Sequence, residues 1–198
     1  MRVSETIGYV DVIHSMVERL QEAMNLLYNA FIYSQSIPLE GALEHVKWVK
    51  EREKELTPEL VERASSDEIA RVYTSIPGHL ERIASNIEHI IRIVEQKNRE
   101  NILFSDKAVS EMNFLFNRIK EVLSNLSDLV LARNKYLANY IIESEAEIER
   151  TANEFSTLHE ERLIEGVCMP RASGIYVIIL DSLKRIAWNA KEIAGKLA

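Results

Sequence analysis

The chain has 198 residues, 46% of them hydrophobic and 28% charged, and a formal net charge of −7. That length can bury a sizeable core in one domain or two small ones, and the apolar content is too high for a disordered chain. Acids and bases are interspersed, and an acidic chain without a basic stripe argues against binding nucleic-acid phosphates or an anionic membrane surface.

The longest apolar run, Ile175 to Leu180, has six residues, whereas a membrane span needs ~20. The N-terminal stretch carries Arg2, Glu5 and Asp11 and lacks the apolar core of an export signal. The single cysteine, Cys168, has no partner for an internal disulfide and suits a reducing compartment, so a cytoplasmic location is expected.

Six glycines and four prolines, with Glu, Leu, Ile, Ala and Arg plentiful, predict long helices with few turns. Apolar residues recur at helical spacing almost throughout. The first helix is predicted over 6–34, with Ile13, Met16, Leu20, Met24, Leu27 and Phe31 on its inward stripe. Pro38 restarts the chain as a second helix, and Thr57-Pro58-Glu59 predicts a break or kink in it. Ser65 to Glu68 reads as a capping box opening a third helix that Pro77-Gly78 should bend.

Asn98 to Asn101 is a polar break, and Ser105-Asp106 caps a fourth helix with Met112, Leu115, Phe116, Ile119, Leu123 and Leu126 on its stripe. A boundary near Arg133-Asn134 leads to a fifth helix over 136–163, and Gly166 to Ser173 is a loop before a sixth helix ending at Lys196.

The chain repeats itself. Leu80-Glu81-Arg82-Ile83-Ala84-Ser85-Asn86 parallels Leu183-Lys184-Arg185-Ile186-Ala187-Trp188-Asn189 at an offset of 103, which also matches Tyr73 with Tyr176. The first and fourth helices align at an offset of 99, and the second and fifth at 94, the latter pairing Glu51 with Glu145 and Glu55 with Glu149. Preserved order across three elements points to duplication. The expected fold is all-α, with six helices forming two tandem three-helix antiparallel bundles over 1–100 and 101–198.

The main carboxylate signal is Glu51-x-x-x-Glu55, repeated as Glu145-x-x-x-Glu149; a spacing of four places both carboxylates on one side of a helix. Five histidines show no metalloprotease spacing, and His159-Glu160-Glu161 reads as a helix-terminal structural feature. No glycine-rich phosphate loop or nucleophile elbow is visible, and no enzymatic activity is expected. Trp48 and Trp188 read as core or interface aromatics.

The stretch from His159 to Cys168, followed by Ser173-Gly174-Ile175-Tyr176 and Leu180-Asp181-x-Leu183-x-Arg185-Ile186, resembles the end of a PhoU domain, in flavour closest to the variant appended to sodium-dependent phosphate cotransporters. Leu80-Glu81-Arg82-Ile83 resembles the matching motif of the first PhoU repeat. The resemblance implies a cytoplasmic regulator of phosphate uptake or signalling that works through a protein partner, a transporter component or a sensor kinase.

It also implies metal clusters, held by acids of the middle helix against a Glu-x-x-x-Asp pair on the third helix of each repeat. Here Glu51, Glu55 and Glu81 match in the first repeat, with Ser85 in place of the Asp. A divalent metal or iron at that site is one expectation, and a helical-bundle metal protein is the alternative function. In the second repeat Glu145 and Glu149 match, but Lys184 and Trp188 replace the third-helix acids, so a salt bridge from Lys184 to Glu145 or Glu149 is expected to stand in for the metal. Apolar positions left over on the first and fourth helices leave a homodimer open.

Overall fold

The computed structural model describes the backbone from residue 2 and side chains from residue 8 to residue 198. The side chains of Arg2 and Glu5 therefore lie outside the described residues. The helices are α1 (Arg2–Tyr33), α2 (Ile37–Arg63), α3 (Glu68–Tyr73), α4 (Ile76–Arg99), α5 (Asp106–Ala132), α6 (Lys135–Ile164) and α7 (Pro170–Leu197). Six are long; α3 is a short turn preceding α4. No strand occurs among the described residues.

Local chemistry sets most helix ends. Ser105 accepts from the Ala108 amide at 3.3 Å to open α5, and Asn134 accepts from the Tyr136 amide at 2.8 Å to open α6. Between them Arg133 closes α5 in the left-handed conformation, φ 47°. Gly166, at φ 72°, ends α6 and lets the Val167 amide reach back to the Arg162 carbonyl at 2.9 Å.

Three expectations are corrected. The break expected at Thr57-Pro58 does not occur, and the second helix is continuous through Pro58; buried Leu56 and Leu60 hold it on either side of the lost amide. The cap of α3 is Asp67, which accepts from the amides of Ile69 and Ala70, whereas Ser65 only bonds the Glu62 carbonyl. The predicted third helix is in fact two, parted at Thr74-Ser75, because Pro77 falls in the first turn of α4, where a missing amide costs nothing.

Helices α1, α2 and α4 pack on one another, as do α5, α6 and α7, and the two groups meet through α1 against α5 and α4 against α7. One continuous core results, from Ile13, Leu20 and Leu27 of α1 to Ile186, Ala190 and Ile193 of α7. Tyr28 and Phe31 of α1 both pack with tilted rings against Phe116 of α5, at 5.9 and 5.4 Å between ring centroids. Part of the apolar surplus of these two helices is buried within the chain in this way, while Tyr33 of α1 and Phe114 and Leu131 of α5 stay exposed. Among the described residues no helix is long and apolar enough to cross a membrane.

Candidate functional site

In the first bundle the α2/α4 seam carries the polar residues. Lys50 donates to Glu88 at 2.5 Å, and Arg92 also pairs with Glu88. Hydrogen bonding from Lys50 holds the Glu88 carboxyl below its usual range, against a burial effect in the other direction. The contact fixes the phase of α2: Lys50, Glu53 and Thr57, all partly buried, share the side turned to α4. Thr57 donates to Glu53 at 3.0 Å.

Glu51 and Glu55 do not share that side. At about 100° per residue they sit some 100–140° round the helix from Lys50, and both are exposed. Glu55 pairs with Arg52 at 2.7 Å. Glu81 and Ser85 are partly buried on α4 and engage each other, the Ser85 hydroxyl donating at 2.7 Å. The expected four-residue set is therefore not gathered. Among the described residues no group of three or more His, Cys, Asp or Glu is placed to hold a metal ion. A hard cation needs several converging oxygens, and these residues as arranged do not fit one.

The second bundle departs from expectation in register. Lys184 donates to Asn153 at 2.7 Å, while Glu145, only 7% exposed, pairs with Lys191 at 3.0 Å. Since α6 and α7 are antiparallel, Glu145 lies eight residues up α6 from Asn153, about 12 Å at a helical rise of 1.5 Å per residue, and meets a correspondingly later residue of α7. Glu149 is exposed, and Trp188 is 43% exposed.

A buried constellation that sequence reasoning missed joins α5, α6 and α7. Glu111, 2% exposed, accepts both terminal nitrogens of Arg162, at 3.0 and 2.7 Å, and the Tyr176 hydroxyl at 2.6 Å. His159 stacks on Tyr176 at 4.1 Å, and its Nε2 lies 2.7 Å from the Ser173 hydroxyl. Burial, aided by the Arg162 charge, lowers the His159 pKa and keeps the ring neutral. Burial, reinforced by the Glu111 carboxylate, pushes the Tyr176 phenol well above its ordinary value. Arg162 stays charged because hydrogen bonds and charge from Glu111 outweigh its burial. The missed signal was Glu111 itself, an acid on the buried stripe of Ala108, Met112 and Leu115.

Two members of this network, His159 and Tyr176, line a pocket whose apolar mouth is formed by Leu103, Phe104, Val167, Cys168 and Met169. Leu103, Val167 and Met169 are 74%, 64% and 64% exposed, so the mouth offers greasy surface to solvent. Chemically the site is a locked ion pair beneath an apolar depression.

Six long helices in two groups of three, meeting through first and last members, define the PhoU class of all-α folds. The crystal structure of PhoU from Pseudomonas aeruginosa superposes with a TM-score of 0.89, covering 99% of this chain and 97% of that one at 16% identity. No family model matches the sequence, and neither does any curated protein. The likeness found is to PhoU, and nothing found supports a particular likeness to the cotransporter-appended variant.

Proposed function

We propose that this chain is a PhoU-like regulator of phosphate transport or phosphate signalling, acting in the cytoplasm by binding a protein partner and not by catalysis. The partner is a phosphate transporter component or a sensor kinase. The observation that carries this reading is the end-to-end match to the PhoU fold, with 99% and 97% of the two chains covered. The reading also takes the chain as two repeats, 1–100 and 101–198, each contributing helix faces to docking. Regulation then works by shifting the partner between states, which requires different affinity for each.

The test is deletion of the gene followed by measurement of phosphate-dependent repression of uptake. Constitutive uptake in rich phosphate, reversed by the intact gene, is the expected result; an unchanged response to phosphate rejects the reading. Pull-down from phosphate-replete and phosphate-starved cells should then recover the same transporter component or kinase in amounts that depend on phosphate.

A further inference from the structure

The repeat that first reveals the duplication is not spent on the core alone. Its two copies differ at Glu81/Lys184 and Ser85/Trp188 but agree at Arg82/Arg185 and Asn86/Asn189. Helices α4 and α7 pack together, antiparallel, since His79 near the start of α4 meets Asn189 near the end of α7. The result is that the retained residues, Arg82, Asn86, Arg185 and Asn189, line one open pocket, with Trp188 as a wall.

The charges around this pocket leave it cationic. Arg82 is exposed, and its guanidinium has no hydrogen-bond or ion-pair partner among the described residues. Arg185 gives only its Nε to Asp181, at 2.8 Å, so its two terminal nitrogens stay free. The other charged neighbours are engaged elsewhere: Glu81 with Ser85, and Lys184 with Asn153. Asn189, 4% exposed, is held in place from two sides. Its Nδ2 donates to the Arg185 carbonyl at 2.8 Å, which leaves Oδ1 to accept from Nδ1 of His79 at 3.0 Å. Asn86 makes the same turn-back bond to the Arg82 carbonyl at 2.8 Å.

We propose that the α4/α7 pocket binds a free tetrahedral oxyanion of the phosphate class between the guanidinium groups of Arg82 and Arg185. A guanidinium offers a planar fork matched to two oxygens, and two forks from different helices need an anion with more than two. A carboxylate satisfies one fork; a tetrahedral dianion satisfies both. In a chain of net charge −7 an uncompensated arginine beside a half-free one is the kind of site at which such an anion gathers. The sites are exposed, so binding is weak and falls with salt.

The proposal stands on the repeat and the pocket, independently of the regulatory reading, and its test uses purified protein. The chain has two tryptophans, so Trp48→Phe leaves Trp188, the pocket wall, as sole reporter. Inorganic phosphate is titrated at constant ionic strength against chloride while Trp188 fluorescence is followed, with calorimetry alongside. A saturable change is expected, weakened at least tenfold by Arg82→Gln and by Arg185→Gln, partly restored by Arg82→Lys, and absent in the double Gln variant. Both side chains are exposed, so circular dichroism should show these variants folded. Phosphate indistinguishable from chloride, acetate binding as well as phosphate, or undiminished binding by the double variant would each overturn the assignment. Repression assays on the intact gene are unaffected by any of these outcomes, so failure here and failure of the regulatory reading are separable.

Discussion

The two bundles carry an ion pair at nearly the same level of the same seam, with the charges exchanged, Lys50 and Glu145 standing one residue apart at the repeat offset of 94. In the first, Lys50 of α2 meets Glu88 of α4; in the second, Glu145 of α6 meets Lys191 of α7, and Glu88 and Lys191 stand at the repeat offset of 103. The seam evidently requires a charge pair without prescribing its order. Each seam thereby neutralises its own acid internally, which is the opposite of what a metal cluster needs. The other ends of the bundles diverge further. Tyr176 sits in the Glu111–Arg162 network, whereas its counterpart Tyr73 ties the Val130 carbonyl at 3.2 Å, packs on Tyr9 and lies beneath the Arg133 guanidinium.

The sharpest way to break this contrast is Glu111→Ala. It strands the Arg162 charge, 15% exposed, and the Tyr176 hydroxyl without their acceptor. Removing one partner of a buried pair costs about 3–5 kcal/mol, and the residual exposure of Arg162 puts the loss near the lower figure; urea denaturation reads it. Tyr176→Phe should cost about 1–2 kcal/mol and Tyr73→Phe about 1 kcal/mol or less, since the second loses one neutral bond. Equal losses from the two tyrosines would mean that the network adds nothing beyond a single hydrogen bond.

Charge exchange tests the seam. Lys50→Glu places a second carboxylate against Glu88, and because both side chains keep roughly a quarter of their exposure, the cost is about 1 kcal/mol. Adding Glu88→Lys recreates in the first bundle the order already present in the second, and should return most of the lost stability. Failure of the double variant to recover would show that the order of charges matters after all, with Arg92, now facing a lysine, the first suspect.

The bundles should also answer to pH in different windows. His159 has a folded pKa below its ordinary 6.5, so the unfolded chain takes the proton first. Stability is full above that value and falls as pH drops through it towards the folded pKa. Glu88 has a folded pKa below its ordinary 4.5; its contribution is full above 4.5 and is lost only as pH falls through the folded value. Urea midpoints compared at about pH 7.5 and about pH 5.5 should drop in the parent and drop less in His159→Gln. Lys50→Ala should instead flatten only the more acid limb.

The features legible in the sequence are those whose physics is local. Ser105 could be read because a cap bonds amides two or three residues away. The duplication could be read because helix order and matched residues survive in one dimension. Register between helices could not be read. Whether Glu53 or Glu51 turns to α4 differs by two residues of phase, and whether Lys184 meets Glu149 or Asn153 differs by one turn. These are decided by how apolar stripes such as Leu56–Leu60 interlock with a partner distant in sequence. Glu111 and Arg162, 51 residues apart, were invisible as a pair for the same reason.

The smallest effect expected is also the most direct check on the carboxylates that the sequence put forward. Glu51 is exposed with no partner among the described residues, and Glu55 has only Arg52, itself 40% exposed. Glu51→Gln with Glu55→Gln should therefore leave the urea midpoint within error of the parent, as surface substitutions away from structured contacts do. The same pair should leave unchanged whatever shift in melting temperature added manganese, iron(II) or zinc produces. A metal that stabilises the parent and not this variant would require α2 to roll by about 100° to bring Glu51 in beside Glu81. That roll would break the Lys50–Glu88 contact, so Lys50→Ala should then strengthen the metal effect. If the metal response is the same in all three proteins, the α2/α4 seam is closed by its own ion pair and these acids are solvent-facing.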